Sequence, residues 1–173
     1  MIGIDPIPLR RRLACNLGAV DEAIDPTTED VAAHVKALSE GRGADVCIEA
    51  SGAYPALQEA IRSAAYSARV VAMGFFQGGG QQLYLGEEFH HNRINLVCSQ
   101  IFGVNPELSY RWNEQRLVQT AMRLQADGVL TLEPLVTHVF PVARADKAFE
   151  LCDQTPDQVI QVVFAASPDD VKR

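Results

Sequence analysis

The chain has 173 residues, of which 22 are acidic and 15 basic, and its net charge is -7. A hydrophobic fraction of 47 % excludes a disordered chain and is ample for one folded core. The acidic balance, relieved only by the short basic run Arg10–Arg12, argues against nucleic acid as a partner. No apolar run approaches the ~20 residues of a membrane helix or the pattern of a signal peptide, so we expect no membrane association and a cytoplasmic location.

Short apolar runs alternate with helical periodicity along the chain. The expected elements are a buried strand over 1–5, a helix over 9–17, a strand over 19–24, a helix over 28–40, a strand over 44–50, a helix over 55–65, a strand over 69–74, a strand over 94–101, a long helix over 105–128, a strand over 135–140, a short helix over 146–151 and a strand over 159–164. Continuous apolar strands that alternate with helices predict a parallel sheet covered on both faces, which is the α/β doubly wound architecture.

Local signals place several boundaries. Thr27 or Thr28 is the expected N-cap of the second helix, because hydroxyl side chains accept hydrogen bonds from the first free N–H groups. The run Gly78–Gly80 precedes residues with an extended pattern and is interpreted as a flexible connection. The pattern changes after Gly128, which predicts a first domain over residues 1–130 and a separate C-terminal segment over 131–173.

The cysteines and histidines give no sign of a metal centre. The four cysteines are scattered without a Cys-x-x-Cys pair, which predicts buried, reduced core thiols. A zinc site needs clustered thiolates or imidazoles at short spacing. His90 and His91 are adjacent, and neighbours on an extended chain point to opposite faces, so no metal ligands are predicted.

Ligands of doubly wound sheets bind beyond the carboxyl ends of the strands. That rule selects Asp5, Ser51–Gly52, Met73–Phe75 and Ser99–Gln100 as the candidate site. A carboxylate at the end of the second strand of a dinucleotide-binding domain accepts hydrogen bonds from the ribose and repels a 2′-phosphate, so Asp5 favours NAD over NADP. The alternative is that Asp5 only begins the turn at Pro6. The sequence has no Gly-x-Gly-x-x-Gly turn for the phosphates.

Several segments in a fixed order resemble one family. They are Gly3–Asp5 with Arg10 after it, Leu17–Ala19, Gly43–Gly52, Gly74–Phe75 and Pro134–Pro141. The chain resembles the C-terminal half of the zinc-type alcohol and polyol dehydrogenases of the medium-chain dehydrogenase/reductase superfamily, from Ile2 to Phe164.

The resemblance implies roles for the matching positions. Asp5 would hold the adenosine ribose with Arg10 beside it, and Ser51 and Gly52 would pass close to the cofactor. Met73–Phe75 would offer backbone groups to the nicotinamide carboxamide, with Ser99–Gln100 at the far end of that site. The resemblance also implies a homodimer that pairs through the strand at residues 95–101. His138 would lie in a strand that returns to the catalytic domain, in a structural role.

The chain also departs from the family. The resemblance implies a preceding catalytic domain that supplies the zinc ligands and a first βα unit with the phosphate-binding glycines, and neither is found here. The expected fold is therefore an incomplete Rossmann-type sheet that lacks its first strand, which leaves open strand edges. No catalytic residue is assigned in this chain.

Two hypotheses of function follow. The first is the NAD-binding, C-terminal portion of a zinc-type alcohol dehydrogenase, which transfers hydride between an alcohol and the nicotinamide but is inactive alone. The second is a non-catalytic remnant of this fold that dimerises or binds a partner through open strand edges. A different doubly wound nucleotide or flavin binder is a third possibility that no residue favours.

Overall fold

The computed structural model describes residues 1–99 and 103–167, which divide into two compact units. The described part of the first unit comprises residues 1–6 and 11–99, and that of the second comprises residues 7–10 and 103–167. The principal elements in chain order are β1 Ile2–Ile4, α1 Pro8–Asn16, β2 Glu22–Ile24, α2 Val31–Leu38, β3 Ala44–Glu49, α3 Tyr54–Ser63, β4 Ala64–Ala72, β5 Asn95–Cys98, α4 Glu114–Ala126, β6 Val136–Pro141, α5 Ala145–Gln154 and β7 Gln161–Ala165.

The first unit contains two parallel sheets instead of one. Strand β1 pairs with β2, and a second sheet has the order β3-β4-β5. Among the described residues, β1 and β3 do not pair with each other. A complete doubly wound sheet has the order 3-2-1-4-5-6, so this arrangement matches that sheet without its central strand. The prediction of an incomplete Rossmann-type sheet is confirmed.

Two apolar clusters hold the first unit together. Leu57 and Ile61 of α3 pack on Val70 of β4 in the larger cluster, because the helix presents them on the same side. Ile24, Val31 and Val35 form the smaller cluster, against which Ile2 of β1 and Ala44 of β3 also pack. This smaller cluster therefore contacts a strand of each sheet.

The open strand edges leave apolar residues in solvent. Strand β1 was expected to be buried, but Ile4 is 44 % exposed. On β3, Val46 and Ile48 are 55 % and 63 % exposed, although a central strand of a doubly wound sheet is normally covered on both faces. The burial expected of these strands is absent because their neighbours in a complete sheet are not among the described residues.

The second unit has its own small sheet. Strands β6 and β7 pair in parallel, joined by α5, as the predicted strand–helix–strand pattern required. Ala148 of α5 is buried, and the rings of Phe149 and Phe164 lie 6.4 Å apart. The predicted domain division at residue 130 remains a prediction.

Two helix starts differ from expectation. Asp30, not a threonine, caps α2 by accepting a hydrogen bond from the N–H of Ala33 at 3.1 Å. The Thr27 hydroxyl and N–H both donate to the Asp25 carboxylate, so Thr27 belongs to the turn that precedes the helix and does not cap it. The long helix expected from residue 105 is divided in two. A single 3-10 turn covers Pro106–Leu108, and α4 begins later, after its N-cap Asn113.

Two burial predictions are wrong. No residue of α4 is buried, although its apolar positions were expected to face a core. Cys15, Cys98 and Cys152 are exposed, and α1, which carries Cys15, has no buried residue. Only Cys47 is partly buried, and burial raises the pKa of its thiol to about 11. All four thiols are free.

None of the helices in the described ranges is long and apolar enough to cross a bilayer.

Candidate functional site

The structure brings five of the predicted site residues together. Ser51 and Gly52 follow β3, and Met73–Phe75 follow β4, its parallel neighbour. The N–H groups of Met73 and Gly74 donate to the backbone carbonyl of Glu49 at 2.7 and 3.2 Å. The two turns therefore lie side by side at the carboxyl ends of these strands.

The turns touch at two glycines. Gly52 has a φ of +76°, and a Cβ on it would lie 2.5 Å from the carbonyl oxygen of Phe75. A Cβ on Gly74 would overlap the Gly52 nitrogen and lie 2.6 Å from Oε2 of Glu49. Only residues without a side chain permit the two turns to approach this closely.

A buried carboxylate lies beneath this contact, and sequence reasoning missed it. Glu49 is 3 % exposed, and its Oε1 accepts hydrogen bonds from the Ser51 N–H at 2.7 Å, the Ser51 hydroxyl at 2.5 Å and the Gly52 N–H at 3.0 Å. The available signal was its position: an acidic residue that directly follows the apolar run Val46–Ile48 and precedes small residues.

Asp5 lies at the carboxyl end of β1, as predicted. Its N–H donates to the carbonyl of Ile24, and its own carbonyl accepts from Arg11 Nη1 at 2.6 Å. Arg11 also forms an ion pair with Asp25 at 2.7 Å. Hydrogen bonds from Thr27, with the Arg11 charge adding to them, lower the pKa of Asp25. Arg11 thus links the ends of β1 and β2, a role that the sequence alone did not indicate.

The remaining predicted positions are placed only in part. Arg10 is exposed on α1, and its role beside Asp5 remains a prediction. The Ser99 N–H donates to the Ala72 carbonyl at 2.9 Å, which sets Ser99 at the same end of the sheet as Met73. Gln100 lies outside the described residues. Among the described residues, strand β5 pairs only with β4. A homodimer through residues 95–101 remains a prediction.

The histidines differ from the sequence argument. His90 and His91 lie in a helical turn, not on an extended chain, and their rings meet edge to face at 5.4 Å. His138 contacts the Thr137 hydroxyl at 3.0 Å within β6. In the described ranges, no three His, Cys, Asp or Glu side chains are grouped so that they could hold a metal ion.

Parallel strands connected by helices, with the predicted site residues at their carboxyl ends, are typical of doubly wound α/β proteins. The sequence profile of the zinc-binding dehydrogenase family matches residues 1–128, and the chain belongs to this family. It is 34 % identical over 164 residues to D-guloside 3-dehydrogenase of Escherichia coli K12, and 31 % identical over 148 residues to L-threonine 3-dehydrogenase of Pyrococcus furiosus.

The comparisons also show which part of the family the chain represents. The alignment with the guloside dehydrogenase covers 94 % of this chain but only 46 % of that enzyme. The alignment with the threonine dehydrogenase covers 85 % of this chain but only 39 % of that enzyme. The alcohol dehydrogenase TADH from Thermus sp. ATN1 superposes with a TM-score of 0.77 at 23 % identity, over 96 % of this chain and 44 % of that one. The chain spans less than half the length of these relatives and corresponds to their C-terminal portion.

Proposed function

We propose that the chain is the NAD-binding, C-terminal portion of a zinc-type alcohol dehydrogenase, and that it does not catalyse the reaction by itself. The position of the Gly52 and Gly74 turns carries the proposal, because they lie side by side at the carboxyl ends of neighbouring parallel strands, where doubly wound sheets bind their ligands. Close approach of bare backbone to a ligand is a common reason for glycines at the ends of strands.

In this proposal Asp5 binds the adenosine ribose. Its carboxylate follows a strand that pairs with β2, and Arg11 fixes its backbone from α1. A carboxylate at this position accepts hydrogen bonds from two ribose hydroxyls and repels a phosphate on the 2′ oxygen. The proposal therefore assigns NAD, and not NADP, as the preferred cofactor.

Backbone carbonyls, rather than N–H groups, are the polar groups that Met73 and Gly74 offer to the carboxamide. Both N–H groups already donate to Glu49. A carboxamide NH2 is a donor, so the carbonyl oxygens of this turn complement it. Ser99, placed beside this turn by its bond to Ala72, would border the same end of the site.

When bound, NAD supplies the nicotinamide carbon that accepts a hydride from an alcohol. In this proposal the described residues bind and orient the cofactor, through the Asp5 carboxylate and the backbone of the turns after β3 and β4. Zinc is expected of the family, but the donor groups in the described ranges do not fit it. We therefore assign hydride transfer to the whole dehydrogenase and only cofactor binding to this chain.

Calorimetric titration of the chain with NAD and NADP tests this function. We expect NAD to bind with a micromolar dissociation constant and NADP to bind about tenfold or more weakly. Asp5→Ala should weaken NAD binding strongly. An alcohol assay with NAD should show no turnover by the chain alone. Absence of NAD binding, or equal affinity for both cofactors, would refute the proposal.

The open edges of β1 and β3 favour a second candidate function, a module that dimerises or binds another chain. These edges do not pair with each other, and Val46 and Ile48 on β3 are largely exposed. Exposed strand edges with apolar neighbours pair readily with other polypeptides. Sedimentation analysis distinguishes the two: a stable oligomer that does not bind NAD supports the module, and a monomer that binds NAD contradicts it.

A further inference from the structure

Glu49 is unusual among the acidic residues of the first unit. It is 3 % exposed, and among the described residues it takes part in no ion pair. Burying a carboxylate is costly unless hydrogen bonds replace its water. Among the described residues, the hydrogen bonds that its two carboxylate oxygens accept come from Ser51 and Gly52, two and three positions further along the chain. Its carboxylate thus serves one purpose, which is to fold the turn after β3.

The same residue also fixes the turn after β4. The carbonyl of Glu49 accepts from Met73 at 2.7 Å and from Gly74 at 3.2 Å. Its carboxylate oxygens accept from Gly52 at 3.0 and 3.2 Å, and Gly52 in turn lies against Phe75. One residue therefore determines how the two turns meet, with its side chain on one turn and its backbone on the other.

We propose that Glu49 is a positioning residue for the nicotinamide end of the cofactor. This rests on the proposed function. Its carboxylate holds Gly52 against the turn of Met73–Phe75, and so sets where the carbonyl oxygens of that turn point. Glu49 is covered by the turns it organises, so it acts through them and does not touch the cofactor itself.

The informative variants of Glu49 are those that change which hydrogen bonds its side chain can accept. Glu49→Gln keeps the length and one carbonyl oxygen, so the bonds from Ser51 can persist. The NH2 group that replaces the second oxygen is a donor, and it would face the Gly52 N–H, which is also a donor. Glu49→Asp keeps the charge but shortens the side chain by one methylene, so it cannot reach both Ser51 and Gly52.

The matched control is Gln58→Ala. Gln58 is also buried, at 6 % exposure, and its Oε1 accepts from the backbone N–H of Tyr84 at 2.9 Å, in a turn outside the proposed site. Removing it costs a buried hydrogen bond to backbone without touching the turns after β3 and β4. It reports what loss of stability alone does to cofactor binding.

The experiment compares NAD with ADP-ribose, which lacks the nicotinamide but keeps the ribose that Asp5 would bind. Calorimetry on the full 173-residue chain should show NAD affinity about tenfold lower in Glu49→Gln, with ADP-ribose affinity unchanged within about twofold. Gln58→Ala should leave both affinities unchanged even where its melting temperature falls. The milder Ser51→Ala, which removes one donor to Glu49, should weaken NAD by about threefold and serves if Glu49→Gln does not fold.

The outcomes separate the two claims. If NAD binding survives in both Glu49→Gln and Ser51→Ala, Glu49 is not a positioning residue, while the proposed function stands. If NAD and ADP-ribose weaken equally, or Gln58→Ala weakens NAD as much, the effect is general destabilisation and the inference is overturned. If the wild-type chain binds neither ligand, the proposed function fails and this inference fails with it.

Discussion

Gly74 lies against Gly52 where β4 and β3 end, and a methyl group on Gly74 would overlap the Gly52 nitrogen. Gly74→Ala should therefore destabilise the chain by about 3 kcal/mol, because backbone on one side and Glu49 on the other cannot move aside cheaply. Urea unfolding monitored by circular dichroism measures the change. Gly79→Ala is the control, since a Cβ there would meet no atom within 4 Å. Equal stability of the two variants would show that the turns do not touch.

His34 makes stability depend on pH. Its Nδ1 lies 2.9 Å from Glu29 and its Nε2 2.7 Å from Glu22. Hydrogen bonds to Glu29 and then Glu22 raise the pKa of His34 above its usual 6.5. The raised pKa means that the added stability is fully present below about pH 6.5 and is lost as pH rises through the folded pKa.

The pH effect is measured by comparing unfolding of the wild type and His34→Gln between pH 5.5 and 8.5. The wild-type advantage should be greatest at the acidic end and shrink toward pH 8.5, since only the doubly protonated ring donates to both carboxylates. Glu29→Gln should lower the pKa of His34 seen by proton NMR. An advantage that grows with pH would contradict the assignment.

Arg11 should matter more than its neighbour in the same basic run. Arg11→Ala removes a bond to the Asp5 carbonyl and an ion pair with Asp25, both partly shielded from solvent. We expect a loss of about 1.5 kcal/mol in unfolding free energy and weaker binding of ADP-ribose. Arg12→Ala, at an exposed position, should change neither. Identical behaviour of the two variants would show that Arg11 does not hold the end of β1.

Of the four cysteine thiols, three should react quickly with a thiol reagent and one should react slowly. Cys15, Cys98 and Cys152 are exposed, whereas Cys47 is partly buried with its pKa raised to about 11. Because the thiolate is the reactive form, Cys47 should react only on unfolding. Titration with a chromogenic disulfide at pH 8 should show three fast equivalents and a fourth in denaturant. Four fast equivalents would contradict the packing of β3 against α3.

The sequence predicted those parts of the fold that depend on local periodicity. The helix carrying Leu57 and Ile61 and the β6–α5–β7 segment were found because apolar spacing and a leading proline specify them without distant contacts. The order of the segments also identified the family and the missing central strand. The proximity of the turns at Ser51–Gly52 and Met73–Phe75 was also predictable, because parallel neighbouring strands end at the same edge of a sheet.

What could not be predicted depends on tertiary contacts. Asp30 caps α2 while Thr27 donates to Asp25 in the preceding turn, and the sequence pattern does not reveal that second bond. The exposure of Ile48 follows from a missing neighbour, which a run of apolar residues does not reveal. The importance of Glu49 follows from a contact between two turns more than 20 residues apart in the chain.

The most direct test of cofactor binding is to follow the backbone amides by NMR during titration of the isotope-labelled chain with NAD. We expect the largest shifts at the residues that follow β1, β3 and β4, namely Asp5, Ser51, Gly52, Met73, Gly74 and Phe75. NADP should produce smaller shifts at Asp5 at the same concentration. Shifts confined to residues 103–167, or none at millimolar NAD, would contradict the claim that this chain binds the cofactor at the carboxyl ends of its strands.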